Sequence, residues 1–187
     1  RTIPKMTVVC LCVDISAEEL TAQLLELNGP SYMRTTRNKV PRMYEGGEKL
    51  RIGEGSVLRE GGDIAIFSCG VMVGEAMAAS DTLSAEGIEC TVVDMHTIKP
   101  LDENLVSKLA ARCGCFVSAE DHSVVGGLGG AISEWIAANS LIPLETVGVK
   151  DIFGQSGASM ELMEMMGLTE SDICEAARRS VERKNRL

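Results

Sequence analysis

The stretch DIAIFSCGVMVGEAMAASDTLSAEGIECTVVDMH, residues 63–96, decides the fold. DIAIFSCG (63–70) is a short, almost continuous apolar run and reads as a strand. VGEAMAASDTLSAEG (73–87) reads as a helix that ends at Gly87, and IECTVVDMH (88–96) as a second strand. The alternation continues downstream. DENLVSKLAARC (102–113) is a helix, CFVSAE (115–120) a strand, and LGGAISEWIAANS (128–140) a helix entered through a glycine-rich turn. LETVGVKD (144–151) is a strand and SMELMEMMG (159–167) a short helix. A last helix follows, with Thr169 and Asp172 spaced as a capping box. Strands alternating with helices predict a three-layer αβα fold with a mainly parallel sheet and right-handed crossovers. The strands are nearly all apolar, as expected for a sheet covered on both faces.

Upstream the pattern is different. MTVVCLCVD (6–14) is a β-branched strand. Ser16 precedes Glu19 at capping-box spacing, and Leu20, Leu24 and Leu27 follow at helical intervals. Asn28-Gly29-Pro30 ends that helix, and SYMRTT (31–36) reads as another strand. The run 38–56 has no sustained period and carries four glycines and a proline. Two strands and a helix are too little to bury a core. The expected division is therefore a remnant of a preceding domain at 1–45, a linker at 46–56 and a complete domain at 57–187. A chain that begins at Arg1 is expected to be a fragment of something longer.

The 187 residues are 45% apolar and 24% charged, values of an ordinary folded protein. The net charge of −9 argues against nucleic acid, and the one basic run, RRSVERKNRL, complements the carbonyl end of the final helix. No apolar run reaches the ~18–20 residues of a membrane span, and no signal peptide is visible. The seven cysteines include two C-x-C pairs and no C-x-x-C, and the two histidines are far apart, so no zinc site is expected. Their setting in apolar strands points to small buried hydrophobes in a reducing cytoplasmic compartment.

Three features compete as sites. In AEDHSVVGGLGGAISEWI (119–136), Gly127 and Gly129 fit the start of a dinucleotide fingerprint, but position 132 is Ile and the loop follows the wrong strand. A helix N-terminus can hold an anion, yet Glu120 and Asp121 stand just before it and would repel one. His122, beside those carboxylates, is either an oriented base or a loop histidine making packing hydrogen bonds. Ser118 and Ser123 lack a nucleophile elbow. Met160, Met163, Met165 and Met166 suit core or interface packing. Arg34 and Arg37 sit at the end of a strand, where α/β folds place ligands, and arginine pairs bidentately with phosphate; salt bridges to this acidic chain are the alternative.

DMHTIKPLDENLV (94–106), AEDHSVVGGLGGAISEWI (119–136) and DIFGQSGASMELMEMMGLTESDI (151–173) resemble the C-terminal part of transketolases, especially the C-terminal subunit of the split, two-chain type. RTIPKMTVVCLCVD and GPSYMRTTRNKVP (29–41) resemble the end of that family's pyrimidine-binding domain, so the remnant at 1–45 is expected to be part of it. The LCVD stretch departs from the family, which usually has a proline-containing turn there. The resemblance implies two-carbon ketol transfer between sugar phosphates, as in the pentose phosphate pathway, with thiamine diphosphate and Mg²⁺ in the complete enzyme. It implies that both are held by a complementary subunit or domain, that none is bound by this fragment, and that the fragment alone is inactive. It also implies homodimer contacts, a substrate-phosphate role for Arg37 and, more weakly, Arg34, and no catalytic or metal residue in this chain. His122, Glu120 and Asp121 are expected near an interface or the site. The alternatives are the same domain of deoxyxylulose-phosphate synthase or of a 2-oxoacid dehydrogenase β subunit, or a non-catalytic α/β binding module.

Overall fold

The structure, a computed structural model, describes residues 1–36, 42–44 and 49–187. It contains two sheets. The small one has the order β2-β1-β6, formed by β1 (Thr7–Cys10), β2 (Ser31–Arg34) and β6 (Thr97–Lys99). The large one has the order β3-β5-β4-β7-β8, formed by β3 (Ser56–Arg59), β5 (Cys90–Asp94), β4 (Ile64–Cys69), β7 (Phe116–Ser123) and β8 (Leu144–Val149). Every pairing in the large sheet is parallel except that of β3, which lies antiparallel against β5 at one edge.

Period-two alternation along β4 builds the three layers. Ile64 and Ile66 face α2 (Met72–Ala85) and α6 (Glu170–Lys184), joining Leu83, Val117 and Ile173 in one core. Ala65, Phe67 and Cys69 face the other way, toward α3 (Glu103–Cys113) and α4 (Leu128–Asn139), joining Leu109, Phe116 and Ile132. Phe67 and Phe116 meet edge to face with ring centres 4.9 Å apart. The expected three-layer, mainly parallel α/β fold is what forms. Among the described residues no helix is long and apolar enough to cross a membrane.

The helix ends follow local chemistry. Asp172 accepts from the Thr169 N–H at 2.9 Å, closing the expected capping box of α6. The first helix, α1 (Asp14–Glu26), starts earlier than the Ser16–Glu19 spacing suggests. Ser16 lies inside its first turn, where its buried Oγ accepts the Val13 N–H at 3.1 Å and donates to the Val13 carbonyl at 2.7 Å. The edge strand β3 begins at the last residue of the expected linker and continues into the first residues of the expected domain, where no strand was expected. Its four residues, SVLR, are only partly buried or exposed and carry no clear alternation.

The two sheets are not independent. The segment 90–99 runs through β5 in the large sheet and continues into β6 of the small one. At the crossing, the Cys10 N–H donates to the His96 carbonyl at 2.8 Å and the Met95 N–H to the Ser68 carbonyl at 2.7 Å. A third core, with Val9, Leu11, Leu20, Leu50 and Val73, packs α1 and β1 against the start of α2.

Asp94 is fully buried at this crossing. Its Oδ2 accepts from Tyr44 Oη at 2.7 Å and from Cys12 Sγ at 2.9 Å, while Oδ1 has no partner among the described residues. Burial pushes its carboxyl up to about 6, against the pull of the hydrogen bonds from Cys12 and Tyr44. The folded protein therefore holds this proton more tightly than the unfolded chain does. That contribution to stability is full below the ordinary carboxyl value and is lost as pH rises through about 6. Urea unfolding should show wild type losing stability relative to Asp94→Asn between about pH 4 and pH 8, by on the order of 2–3 kcal/mol. Parallel pH curves for the two proteins would remove Asp94 as the cause.

Candidate functional site

The carboxyl ends of the parallel strands β1, β2, β4 and β7 converge on one cleft of about 290 Å³. Cys10 closes β1, Arg34 closes β2 and Cys69 closes β4; Glu120 lies opposite Cys69 in β7. The ends of parallel strands are where open α/β sheets take ligands, because loops there are free to vary.

Glu120 answers the question posed by the glycine turn. Its carboxylate accepts the Leu128 N–H at 2.7 Å and the Gly129 N–H at 2.8 Å, capping α4. The chain thus supplies its own anion to the positive end of this helix. The glycines make room for it. A Cβ on Gly127 would stand 1.9 Å from Glu120 Oε2, and one on Gly129 would stand 2.7 Å from Ser118 Oγ. Ser118 itself is fully buried beneath this turn.

His122 lines the cleft with its side chain half exposed. Its Nδ1 lies 2.8 Å from the Ser123 carbonyl and 3.8 Å from Glu120 Oε2. The backbone carbonyl, not the carboxylate, therefore orients the ring, with Nδ1 as the donor and Nε2 as the remaining acceptor. Asp121 is exposed, and its carbonyl accepts a hydrogen bond from Arg34 Nη1.

Arg34 is partly buried. Besides the Asp121 carbonyl, it donates to Cys10 Sγ from Nε at 3.2 Å and from Nη2 at 3.1 Å. Arg37 lies outside the described residues. Sequence reasoning treated Cys10 and Cys69 only as small hydrophobes; both line the cleft. The strands read at 6–14 and 63–70 end at Cys10 and Cys69 only in the structure, so no sequence signal marked them.

A second hollow of about 560 Å³ lies beside the short helix α5 (Ser159–Met166), lined by Met160, Met163, Met166 and Asp121. Met163 and Met166 pack on the core, while Met160 and Met165 are exposed. Among the described residues no three His, Cys, Asp or Glu side chains come together as a metal site. With the α4 cradle filled by Glu120, the described residues do not fit a metal-bound diphosphate.

The structure is a three-layer α/β domain with a mainly parallel sheet, polar residues at its carboxyl edge and a self-capped glycine turn. Residues 53–173 match the family described as "Transketolase, C-terminal domain". The chain belongs to that family. It is 40% identical over 185 residues to the 6-deoxy-6-sulfo-D-fructose transketolase subunit SqwH of Clostridium sp. (strain MSTE9), covering 99% of this chain and 58% of that protein. It is 34% identical over 180 residues to the 1-deoxy-D-xylulose-5-phosphate synthase of Trichormus variabilis, covering 94% of this chain and 28% of the synthase. Among solved structures, a split-gene transketolase described as an inactive β4 tetramer superposes with a TM-score of 0.94 at 37% identity, covering 97% of this chain and 60% of that one. The chain thus spans little more than half the length of its subunit-type relatives.

Two substitutions test the cap. Gly127→Ala forces the new methyl group and the Glu120 carboxylate apart, at an expected cost of about 2–4 kcal/mol. Glu120→Gln keeps the shape but points an amide donor at a backbone N–H, at an expected cost of about 1–3 kcal/mol. Chemical denaturation measures both; wild-type stability of Glu120→Gln would mean the carboxylate does not hold the helix.

Proposed function

We propose that this chain is the C-terminal part of a thiamine diphosphate-dependent transketolase that moves a two-carbon ketol unit between sugar phosphates. The observation that carries this reading is similarity along essentially the whole chain to subunits of transketolases whose halves are separate proteins. In this reading a complementary subunit or domain holds thiamine diphosphate and Mg²⁺, and the thiamine cofactor would supply the carbanion-stabilising chemistry. The present chain contributes assembly contacts, homodimer contacts included, and part of the substrate pocket. Alone it is inactive, a reading supported by the description of the split-gene relative as an inactive tetramer. We place the enzyme in the cytoplasm, in carbohydrate metabolism.

In this reading Arg37 grips the terminal anion of the sugar, since a guanidinium matches two anionic oxygens at once. Arg34, three residues earlier in sequence, adds positive charge at the end of β2. His122, Glu120 and Asp121 border this region through the cleft and the α4 turn. A second reading has its own support: the Clostridium relative is named for a sulfo-sugar, and a sulfonate offers a guanidinium the same planar pair of oxygens. A third, synthase chemistry, draws on the 1-deoxy-D-xylulose-5-phosphate synthase relatives.

The full-length subunit, mixed with its complementary subunit, thiamine diphosphate and Mg²⁺, should transfer ketol units between pentose phosphates. Turnover only with 6-deoxy-6-sulfo-D-fructose would select the second reading, and pyruvate consumption the third. No ketol transfer by well-assembled chains would count against the proposal. In the assembled enzyme, Arg37→Ala should raise KM for the phosphorylated sugar by about 10–100-fold, the loss expected for a charged hydrogen-bond pair. Unchanged kinetics would remove Arg37 from the site.

A further inference from the structure

We propose that Cys10 and Cys69 form an oxidisable thiol pair, which a peroxide converts into a disulfide joining the small sheet to the large one. The two residues end strands of different sheets, β1 and β4, and both line the cleft. Both side chains belong to the same buried cluster, with Phe67 and Ile98. Gly70, next to Cys69, adopts a positive φ of 61° and leaves the space the pair needs. A Cβ there would lie 2.9 Å from Cys10 Sγ and 3.4 Å from Arg34 Nη2.

What distinguishes Cys10 is the direction of its hydrogen bonds. Cys12 donates to the Asp94 carboxylate, and Cys90, Cys113, Cys115 and Cys174 approach backbone carbonyls as donors. Donation to oxygen holds a cysteine as the protonated, unreactive thiol. Cys10 instead accepts, from Arg34 Nε at 3.2 Å and Nη2 at 3.1 Å. A guanidinium fork on sulfur favours the thiolate, the form that attacks peroxide. Consistently, the neighbouring Cys69 thiol, then the Arg34 charge and its hydrogen bonds, draw the Cys10 thiol down against the effect of burial. Cys69 is pushed up by Cys10 beside it and by burial, as burial pushes up Cys90, Cys113, Cys115 and Cys174. Both sulfurs are buried from bulk water, but they line a cleft of about 290 Å³, which admits small molecules such as hydrogen peroxide.

The chemistry balances with hydrogen peroxide as the oxidant. The Cys10 thiolate attacks one peroxide oxygen, the O–O bond breaks, and the departing hydroxide takes a proton to leave as water. Cys10 is now a sulfenic acid, oxidised by two electrons. The Cys69 sulfur, giving up its proton, attacks the Cys10 sulfur; the S–O bond breaks and a second water leaves. Two thiols and one peroxide become one disulfide and two waters.

The pre-reduced full-length chain, given increasing hydrogen peroxide under anaerobic conditions, tests this by differential alkylation and peptide mass spectrometry. A Cys10–Cys69 cross-linked peptide should form at least about tenfold faster than any modification of the other five cysteines. Cys69→Ser should stop at a Cys10 sulfenic acid that dimedone traps, and Cys10→Ser should yield neither product. Arg34→Gln should slow Cys10 oxidation several-fold, with circular dichroism confirming the fold. If that variant misfolds, the pH dependence of Cys10 alkylation in the wild type takes its place and should show reaction at lower pH than at Cys90 or Cys174. The proposal is overturned if Cys10 reacts no faster than the other cysteines. It is equally overturned if wild-type oxidation halts at sulfenic acid, or if the cross-link joins a different pair.

Discussion

One stretch of chain, residues 90–99, belongs to both sheets, and most of the architecture follows from it. Three short strands and one helix cannot exclude enough water to hold themselves together. The small sheet is ordered because its third strand, β6, is delivered by the large sheet and because Val9, Leu11 and Leu20 bury themselves against Val73 of α2. Asp94, where the segment leaves the large sheet, gathers Tyr44 and Cys12 onto one carboxylate oxygen. A buried carboxylate with one oxygen unpartnered among the described residues is a costly joint, tolerated where it draws three distant segments to one point.

The cleft at the strand ends is electrostatically self-satisfied in two places. Glu120 occupies the N-terminus of α4, which removes the site a phosphate would otherwise find most attractive. Arg34 is engaged by Cys10 and by the Asp121 carbonyl. The positive end of α4 is therefore already neutralised by the chain's own carboxylate. The same arrangement leaves a sulfur, Cys10, as the acceptor of a guanidinium, an unusual role for a residue type that elsewhere in this chain donates.

Much of the large unit was legible from periodicity. The strands β4, β5, β7 and β8 and the helices between them stand close to where the apolar runs and glycines put them, because burial on both faces leaves a strong, simple pattern. β3 was not, since a four-residue edge strand is specified by its neighbour more than by its own composition. The start of α1 was misplaced because Ser16 serves the helix end from inside the first turn. At the candidate site, Glu120, Asp121 and His122 were identifiable as a group. Their separate roles were not: repulsion of an anion was a fair reading of two adjacent acids, but one of those acids turns out to be the bound anion.

The sequence by itself determined the layered α/β class, the order of its main elements, the acidic surface and, through its ordered motifs, the transketolase likeness. These properties are local or summed along the chain, so they survive without coordinates. Only the tertiary structure decided that β6 completes the small sheet, that Glu120 caps α4 and that Cys10, Arg34 and Cys69 meet. Each of those joins residues far apart in sequence, and the geometry of such contacts is set by how whole sheets pack, which no short pattern encodes.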